Sequence, residues 1–576
     1  MQSADRFLTR TLALVASILL AACSERPAEP PDDARTADLL LRNGSVYTVD
    51  AARSWAEAVG ISNGRIVFVG TDADAESVIG PSTQVVDLDG RMLLPGLQDI
   101  HIHPISGGIE ASACDLNALE TVDDYLQEIA ECARENPDEE WITGGGWSMA
   151  AFGPGANASR KLLDEIVPDR PVILTSADGH SAWVNSKALE IAGVTEDTPD
   201  PIDGVIDREP GTGAPLGSLQ EGAMYLVNRH APVADLETRT SGLQYSINML
   251  NDYGITSIQD ASVDEDDLKA YRALDERGEL SLRVVASQWW ERDGDLEQLE
   301  KFKALREQYT KGRVDASTVK IMQDGVMENY TAAMLEPYLG QGGKKGIPMV
   351  EPEQLKRAVT ALDSEDFQVH FHAIGDAAIR QCLDAVEAAQ QQNGYRGNRH
   401  HISHLELIDP ADIPRFRELK VVANFQPLWA YADDYITELT IPFIGPDRSQ
   451  WLYPIASVHR AGGMVAFGSD WSVSTANPFH QIETAVTRMG ASGDTTEPFL
   501  PEQRIDLPLA IAAFTIHAAW VNRHETDTGS IEAGKYADLI VLDRNLFETE
   551  PVDISETRVL MTMIEGQVVH GDLASL

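Results

Sequence analysis

The sequence predicts an α/β protein: a (β/α)8 TIM-like barrel, a flanking β-sandwich built from both chain ends, and an inserted subdomain after the first barrel strand. Three observations lead to this prediction. Eight strand-like apolar runs alternate with helical stretches, both chain ends carry hairpin signals, and one connection is far too long for a simple βα loop. We assign 37–92 and 527–576 to the sandwich and 93–526 to the barrel, with the insertion at about 107–251.

The N-terminus is typical of an exported lipoprotein. Two arginines precede the uncharged run 11–22, whose helical length of about 18 Å falls short of the roughly 30 Å needed to span a bilayer, so 1–22 is predicted to be a signal peptide. Residues 20–23, LAAC, resemble a bacterial lipoprotein cleavage box, and we expect Cys23 to be the lipidated first residue of the mature chain. An ordinary secretory signal with a chance cysteine is the alternative. Residues 23–36 are Pro-rich and polar, as in a flexible tether.

This leader predicts a protein lipid-anchored to the bacterial cell envelope, on the periplasmic face and at the outer membrane, with the lipid on Cys23 as its one contact with the membrane. The 45 Lys and Arg against 91 Asp and Glu give a formal charge of −46, which excludes nucleic acid as a partner because like charges repel. The expected partner is a small-molecule substrate. The sequence leaves a monomer and a homo-oligomer open.

Three cysteines remain after Cys23, namely Cys114, Cys132 and Cys382. In an exported chain a Cys114 to Cys132 disulfide can form, but the odd count leaves the pairing open. No cysteine lies near a histidine cluster in the sequence, which argues against a thiolate zinc site.

Both ends of the chain carry β-hairpin signals. Residues 39–49 turn at an Asn-Gly pair at 43–44, and 58–69 turn at a second Asn-Gly pair at 63–64. Near the C-terminus, 539–542 is an apolar strand and 560–569 is predicted to be a hairpin. We expect the two ends to share one sandwich.

Between the ends the pattern changes to βα units. The predicted barrel strands are 93–103, 255–260, 282–287, 318–322, 368–372, 401–405, 421–425 and 464–470. Helical stretches include 352–363 and 377–391. The insertion has strand candidates of its own at 141–144 and 172–175.

The strongest local chemical signal is His101-Ile102-His103 at the end of the first barrel strand. Side chains alternate along a strand, so both imidazoles point to the same side and can hold one metal ion. The pattern is weak when it stands alone. It gains support because His372, His404 and Asp470 also end barrel strands, where barrel active sites are built. Neutral imidazoles and a carboxylate converging from separate strands are what zinc requires.

Lys320 completes the predicted site. Alternation within 318–322 places it opposite Val319 and Ile321, inside the barrel, where a bare ammonium is costly. Burial lowers the pKa of a lysine, and a neutral amine can react with carbon dioxide to give a carbamate, which is an anionic ligand able to bridge two ions. A lysine that extends to solvent is the alternative.

These residues resemble the amidohydrolase superfamily. That family places His-x-His on barrel strand one, a carboxylated Lys on strand four, single histidines on strands five and six, and Asp on strand eight; the matching residues here are His101, His103, Lys320, His372, His404 and Asp470. The segment 529–543 is similar to the family's return from barrel to sandwich. The resemblance covers nearly everything after the tether.

Within the superfamily the chain resembles the branch that contains N-substituted formamide deformylases, amidohydrolase family 3. The motifs are 319–325 (VKIMQDG), 372–376 (HAIGD) and 178–185 (DGHSAWVN). His370 lies two residues from His372 on the same face and could compete as the ligand; we prefer His372 because it directly precedes Ala-Ile-Gly-Asp.

The resemblance implies hydrolysis of a C–N bond at a carbonyl by metal-activated water, with Asp470 as general base. One or two divalent ions are expected, and zinc is favoured although manganese, iron and nickel tolerate similar ligands. His180 and Trp147, near the glycines at 144–146, are candidates for substrate contact, but packed aromatics at a Gly-rich turn explain them equally well.

Two other functions are kept open. The same metal centre could act on a lactone, a carbamate or a phosphate ester, because the fold does not fix the bond that is cleaved. A lipoprotein that binds a ligand or metal without turnover is the alternative from another class. A Ser-His-Asp hydrolase is disfavoured because the sequence has no Gly-x-Ser-x-Gly elbow.

Overall fold

The computed structural model describes residues 36–153, 158–493, 495 and 497–576. The predicted signal peptide, Cys23 and the tether up to residue 35 lie outside these residues. Within the described part, no helix has both the length and the apolar character needed to cross a bilayer.

The centre of the molecule is a sheet of eight parallel strands arranged in chain order. The strands are β1 (Leu97–Ile102), β2 (Ile255–Val263), β3 (Arg283–Trp289), β4 (Val314–Met322), β5 (Gln368–Ala373), β6 (His401–His404), β7 (Val422–Phe425) and β8 (Val465–Phe467). The backbone after β8 closes on β1, where the Asp470 N–H donates to the carbonyl oxygen of His101 at 2.7 Å. The predicted (β/α)8 barrel is confirmed.

Helices cover the outside of the barrel and connect its strands. The α-helices of the described residues are Asp72–Ala75, Pro104–Glu110, Val122–Glu135, Arg160–Ile166, Ser186–Ala192, Tyr225–Asn228, Leu236–Asp252, Glu265–Arg277, Gln298–Tyr309, Pro352–Ser364, Asp376–Asn393, Ile413–Leu419, Ile441–Ile444, Pro446–Ser449, Ile455–Arg460, Pro478–Thr487, Leu507–Ala513 and Ile516–Val521. Short 3-10 turns and one π-helical turn, Tyr435–Thr440, complete the connections. The largest hydrophobic cluster lies between these helices and the strands.

A β-sandwich built from both chain ends flanks the barrel, as predicted. One sheet has the order Arg65–Gly70, Ala58–Ser62, Ala37–Arg42, Ile79–Asp87; the other has the order Gln567–Gly571, Val559–Ile564, Leu539–Leu542, Met92–Pro95, Ser45–Tyr47, Trp55–Ala56. The predicted hairpins at 58–69 and 560–569 are confirmed. Buried side chains from both sheets form one cluster between them, with Ile61, Leu539 and Met563 among its members.

Two expectations at the N-terminal side are wrong. The run 39–49 does turn at Asn43, whose φ is +53°, but its two strands belong to different sheets and do not pair. The run 93–103 is two strands, because Met92–Pro95 pairs with Leu539–Leu542 in the sandwich while β1 pairs with β2. Local patterning predicts an extended segment, whereas its partner is chosen by tertiary packing.

The insertion after β1 forms a fourth sheet. Its strands, in spatial order, are Gly204–Arg208, Pro215–Glu221, Ser181–Val184, Val172–Ser176, Ile142–Trp147 and Cys114–Asp115. Cys114 and Cys132 form a disulfide that ties the edge strand to helix Val122–Glu135, while Cys382 is a buried free thiol. Helix Leu236–Asp252 packs against Pro104–Glu110 and leads into β2, so it belongs to the barrel layer.

Candidate metal centre

The structure brings all six predicted ligands together at the carboxyl ends of the barrel strands. Asp470 is at the centre: its Oδ1 lies 3.3 Å from His101 Nε2 and 3.1 Å from His103 Nε2, and its Oδ2 lies 3.8 Å from His404 Nδ1. Lys320 Nζ is 3.4 Å from His101 Nε2. The ring of His372 lies 4.4 Å from that of His404, centroid to centroid.

The backbone at the barrel's closure positions Asp470. Gly468 permits the approach of the last strand to the first, since a Cβ there would lie 2.5 Å from His101 N. The buried carboxylate of Asp99 accepts from the N–H of His101 and from that of Ser469. Asp470 itself has a φ of +56°, a conformation that non-glycine residues rarely adopt and that is concentrated at functional sites.

His370 orients His101, a role that the sequence analysis missed. Its Nε2 lies 2.9 Å from His101 Nδ1 and 2.9 Å from Ser403 Oγ, and its Nδ1 lies 3.1 Å from Ser287 Oγ. Both nitrogens of His370 are therefore engaged in hydrogen bonds, and His101 keeps Nε2 for the cluster. The two-residue period of β5 already placed His370 and His372 on one face, which is the signal that could have revealed the pair.

Lys320 lies inside the barrel, as alternation predicted. Its side chain is buried on β4, and burial lowers the pKa of its amine to about 7. No carboxylate among the described residues forms an ion pair with it. A substantial share of the amine is therefore neutral near pH 7, and the neutral amine is the form whose lone pair attacks carbon dioxide.

The loop after β5 is fixed by Asp324 of the loop after β4. Asp324 accepts hydrogen bonds from the backbone N–H groups of Ala333, Ile374 and Gly375, at 2.9 to 3.0 Å. Gly375 permits this contact, since a Cβ there would lie 2.1 Å from the carbonyl oxygen of Ala333. The motifs at 319–325 and 372–376 thus form one unit that holds His372 in place.

The donor set fits a divalent cation. One oxygen or nitrogen of His101, His404 and Asp470 can be chosen so that the three atoms lie within 4.8 Å of one another. Neither ring nitrogen of the buried His404 has a hydrogen-bond partner among the described residues, and the same is true of Asp470 Oδ1. Buried polar atoms are normally paired, so these orphaned atoms indicate a missing ligand.

The charge states of the cluster suit a cation as well. Burial lowers the pKa of His101 to about 3 and holds the pKa of His404 well below the ordinary value, so both rings are neutral ligands. Burial opposes ionisation of Asp470, but the neighbouring imidazoles of His101 and His103 hold the pKa of this carboxyl well below its usual range. Neutral imidazoles with an ionised carboxylate are a metal-binding set.

Two cavities meet at these residues. A cavity of about 290 Å³ is lined by His372, His404 and Asp470 and continues toward the loop after β7. A wider one of about 650 Å³ reaches His101, His103 and Lys320. The cluster therefore lies where a small molecule can approach it.

The two weaker candidates have different outcomes. His180 lines both cavities, 5.2 Å from the ring of His372, and its Nδ1 lies 3.0 Å from both carboxylate oxygens of Glu221. Burial disfavours the imidazolium, but Glu221 overrides this and raises the pKa of His180 to about 9. Trp147 lines neither cavity: it is fully buried in the insertion's core, and its indole N–H donates to the Leu174 carbonyl oxygen at 2.9 Å. Its placement does not support substrate contact.

Comparison with known proteins decides the family. The sequence profile described as "Amidohydrolase family" matches residues 84–570. The chain belongs to the amidohydrolase family. This membership, together with the fold and the ligand cluster, identifies a metal-dependent hydrolase of that family.

Relatives within the family span almost the whole chain. It is similar to "Protein LONG AFTER FAR-RED 3" of Arabidopsis thaliana, with 33% identity over 93% of this chain and 92% of that protein, and to the N-substituted formamide deformylase of Arthrobacter pascens, with 27% identity over 92% and 97%. Among solved structures it is similar to an uncharacterized metal-dependent hydrolase from Pyrococcus horikoshii OT3, with 25% identity, a TM-score of 0.70, and coverage of 92% and 100%.

Proposed function

We propose that this amidohydrolase cleaves an amide-type C–N bond, in a small N-acyl or N-formyl amine, with one or two zinc ions as cofactor. The observation that carries the proposal is the buried Asp470 carboxylate between the imidazoles of His101, His103 and His404, facing a cavity. Similarity to an N-substituted formamide deformylase over nearly the full chain supports the C–N bond.

A divalent cation bound here would lower the pKa of water and polarise the carbonyl group under attack. Asp470 is the proton carrier: its oxygens accept the proton of the attacking water and deliver it to the departing amine, without which an amide does not break. The Nδ1 of His180 is hydrogen-bonded to Glu221. Its Nε2 has no hydrogen-bond partner within the described residues and can bind a ligand. Charged near neutral pH, it donates a hydrogen bond to the developing oxyanion.

Lys320 is proposed to carry the carbamate. A bare ammonium at this position is costly, because it is buried and lacks a carboxylate partner among the described residues. Carboxylation turns the amine into an anion beside His101 Nε2, where it adds oxygen ligands to the cluster.

The test is a substrate panel on zinc-loaded protein: N-formyl amines, N-acyl amino acids and esters of matched size. We expect turnover of amides, and a loss of about 1000-fold or more in kcat/KM for Asp470→Asn, because the amide side chain cannot carry the proton. The exposed Asp447→Asn is the matched control and should keep wild-type activity. Turnover of esters alone would overturn the amide assignment, and zinc binding with no turnover of any substrate would favour a binding protein.

A further inference from the structure

The 290 Å³ cavity has an acidic and aromatic end that the proposed reaction does not use. Four carboxyl groups outside the ligand cluster line it, and no Lys or Arg is among the lining residues that the structure describes. These acids are Asp178, Glu328, Glu406 and Asp433, and the aromatic lining is Trp429, Tyr431, Tyr435 and Tyr453. His180 is the one cationic side chain there, and its charge is already paired with Glu221 behind it.

Glu406 points to a ligand most directly. Its side chain is only 5% exposed, and its Oε2 has no hydrogen-bond partner among the described residues although it lines the cavity. Glu328, 7% exposed, lines the same cavity, and its Oε1 accepts from the Thr440 hydroxyl at 3.4 Å. A buried carboxyl oxygen without a partner is costly, so a positively charged group in the cavity would give Glu406 the partner that it lacks. The same group would also be attracted by Glu328.

Among the described residues, these acids do not group as metal ligands. Within the described residues, the one group of three His, Cys, Asp or Glu side chains with ligand atoms close enough to share an ion is His101, His404 and Asp470. The aromatic side chains point instead to an organic cation, because the faces of Trp and Tyr rings attract ammonium groups. Trp429 stacks on His404 with 8° between the planes and 5.6 Å between centroids, so the aromatic lining begins at the metal centre.

We propose that the cavity formed by Glu328, Glu406 and the surrounding aromatic rings is a subsite for an organic ammonium group. The subsite rests on the proposed hydrolysis and defines its substrate class. The substrates are N-acyl amines that carry a second, cationic nitrogen on the part of the molecule beyond the scissile bond. The cavity volume of about 290 Å³ fits a short alkyl chain that ends in the ammonium group. Neutral amides of the same length are poorer substrates because they leave the buried Glu406 oxygen without a partner.

Binding is measured first, by calorimetry on zinc-loaded protein with choline and its uncharged isostere 3,3-dimethylbutan-1-ol. Choline cannot coordinate zinc through its quaternary nitrogen, so the comparison isolates the charge. We expect choline to bind at least about tenfold more tightly. Glu406→Gln and, independently, Glu328→Gln should remove this preference and leave binding of the alcohol unchanged. Asp434→Asn, an exposed neighbour of Asp433, is the control and should keep the preference.

Hydrolysis is measured second, with N-acetyl-1,5-diaminopentane against N-hexylacetamide, in which a methyl group replaces the ammonium. We expect at least about tenfold higher kcat/KM for the charged amide in the wild type and near-equal values in Glu328→Gln, which lies farther in sequence from the ligands than Glu406. Zinc content and circular dichroism of each variant verify that the fold and the cluster survive.

The two proposals fail in different ways. Equal binding of choline and the alcohol, or a preference that persists in both Gln variants, overturns the subsite even when amides are hydrolysed. Carboxylate-dependent choline binding with no turnover of either amide supports the subsite and overturns the amidase function.

Discussion

At the scale of single residues, the centre is built from groups that are individually unfavourable in a protein interior. Five of the six ligands are buried and His103 is half-buried, and several of their polar atoms lack partners among the described residues. Such a set persists only where the surrounding structure holds it. Here Asp99 accepts from the backbone N–H of Ser469, next to Asp470, and His370 is hydrogen-bonded to the ring of His101. Substituting these supporting residues should therefore affect metal binding, as substituting the ligands should.

His370→Ala should weaken zinc binding by about 10- to 100-fold, because His101 loses the group that fixes its ring and its tautomer. The measurement is competition with a chromophoric chelator, followed by kcat/KM at saturating zinc. His517→Ala removes a histidine bonded to the Val465 carbonyl, outside the cluster, and controls for loss of an imidazole. Unchanged zinc affinity in His370→Ala would contradict the orienting role.

At the scale of elements, the loops that follow β4 and β5 act as one unit. Asp324 accepts hydrogen bonds from three backbone N–H groups. Gly375 has no side chain, so the two loops can approach each other closely. Neighbouring loops at the carboxyl edge of a barrel carry the chemistry, so their mutual hydrogen bonds determine how firmly a ligand such as His372 is held.

Asp324→Ala should lower the free energy of unfolding by roughly 3 kcal/mol or more, because three buried N–H groups lose their acceptor. Asp324→Asn should cost less, since its amide oxygen can still accept. Urea denaturation of the apoprotein gives these values, and zinc titration should show weakened binding in both variants, more strongly in Ala. Wild-type stability of the Ala variant would refute the proposed link between the loops.

At the scale of the whole molecule, the sandwich and the barrel are joined by charged contacts. Arg283 of β3 pairs with Asp538 and with Glu565, and Arg313 pairs with Glu565 at 2.9 Å. The guanidinium of the buried Arg283 also lies over the ring of Tyr536, 4.8 Å from its centroid. The C-terminal strands are therefore bonded to the barrel as well as to the N-terminal strands.

We propose that the whole protein is held at the bacterial outer membrane, on its periplasmic face, by a lipid on Cys23. Wild-type protein should fractionate with membranes and incorporate labelled palmitate, because two or more acyl chains give stable anchoring. Cys23→Ala should incorporate none. A soluble mature chain without lipid and with another N-terminal residue would show that the leader is an ordinary secretory signal.

The sequence by itself determined the barrel and most of the centre. Period-two alternation and strand ends are local features. They predicted that six side chains would lie together, because a parallel barrel brings all carboxyl ends to one edge: His101, His103, Lys320, His372, His404 and Asp470. Local rules also predicted the second Asn-Gly hairpin, because its two strands are neighbours in the sequence.

Only the tertiary structure decided what depends on contacts between distant segments. The first Asn-Gly turn separates two sheets, Trp147 is a core residue, and His370 supports another histidine, none of which follows from local pattern. The acidic cavity is the clearest case: Glu328 and Glu406 lie 78 positions apart, each looks like an ordinary charged residue, and burial on the same cavity gives them a shared role. Burial and proximity arise from packing, which a one-dimensional pattern does not encode.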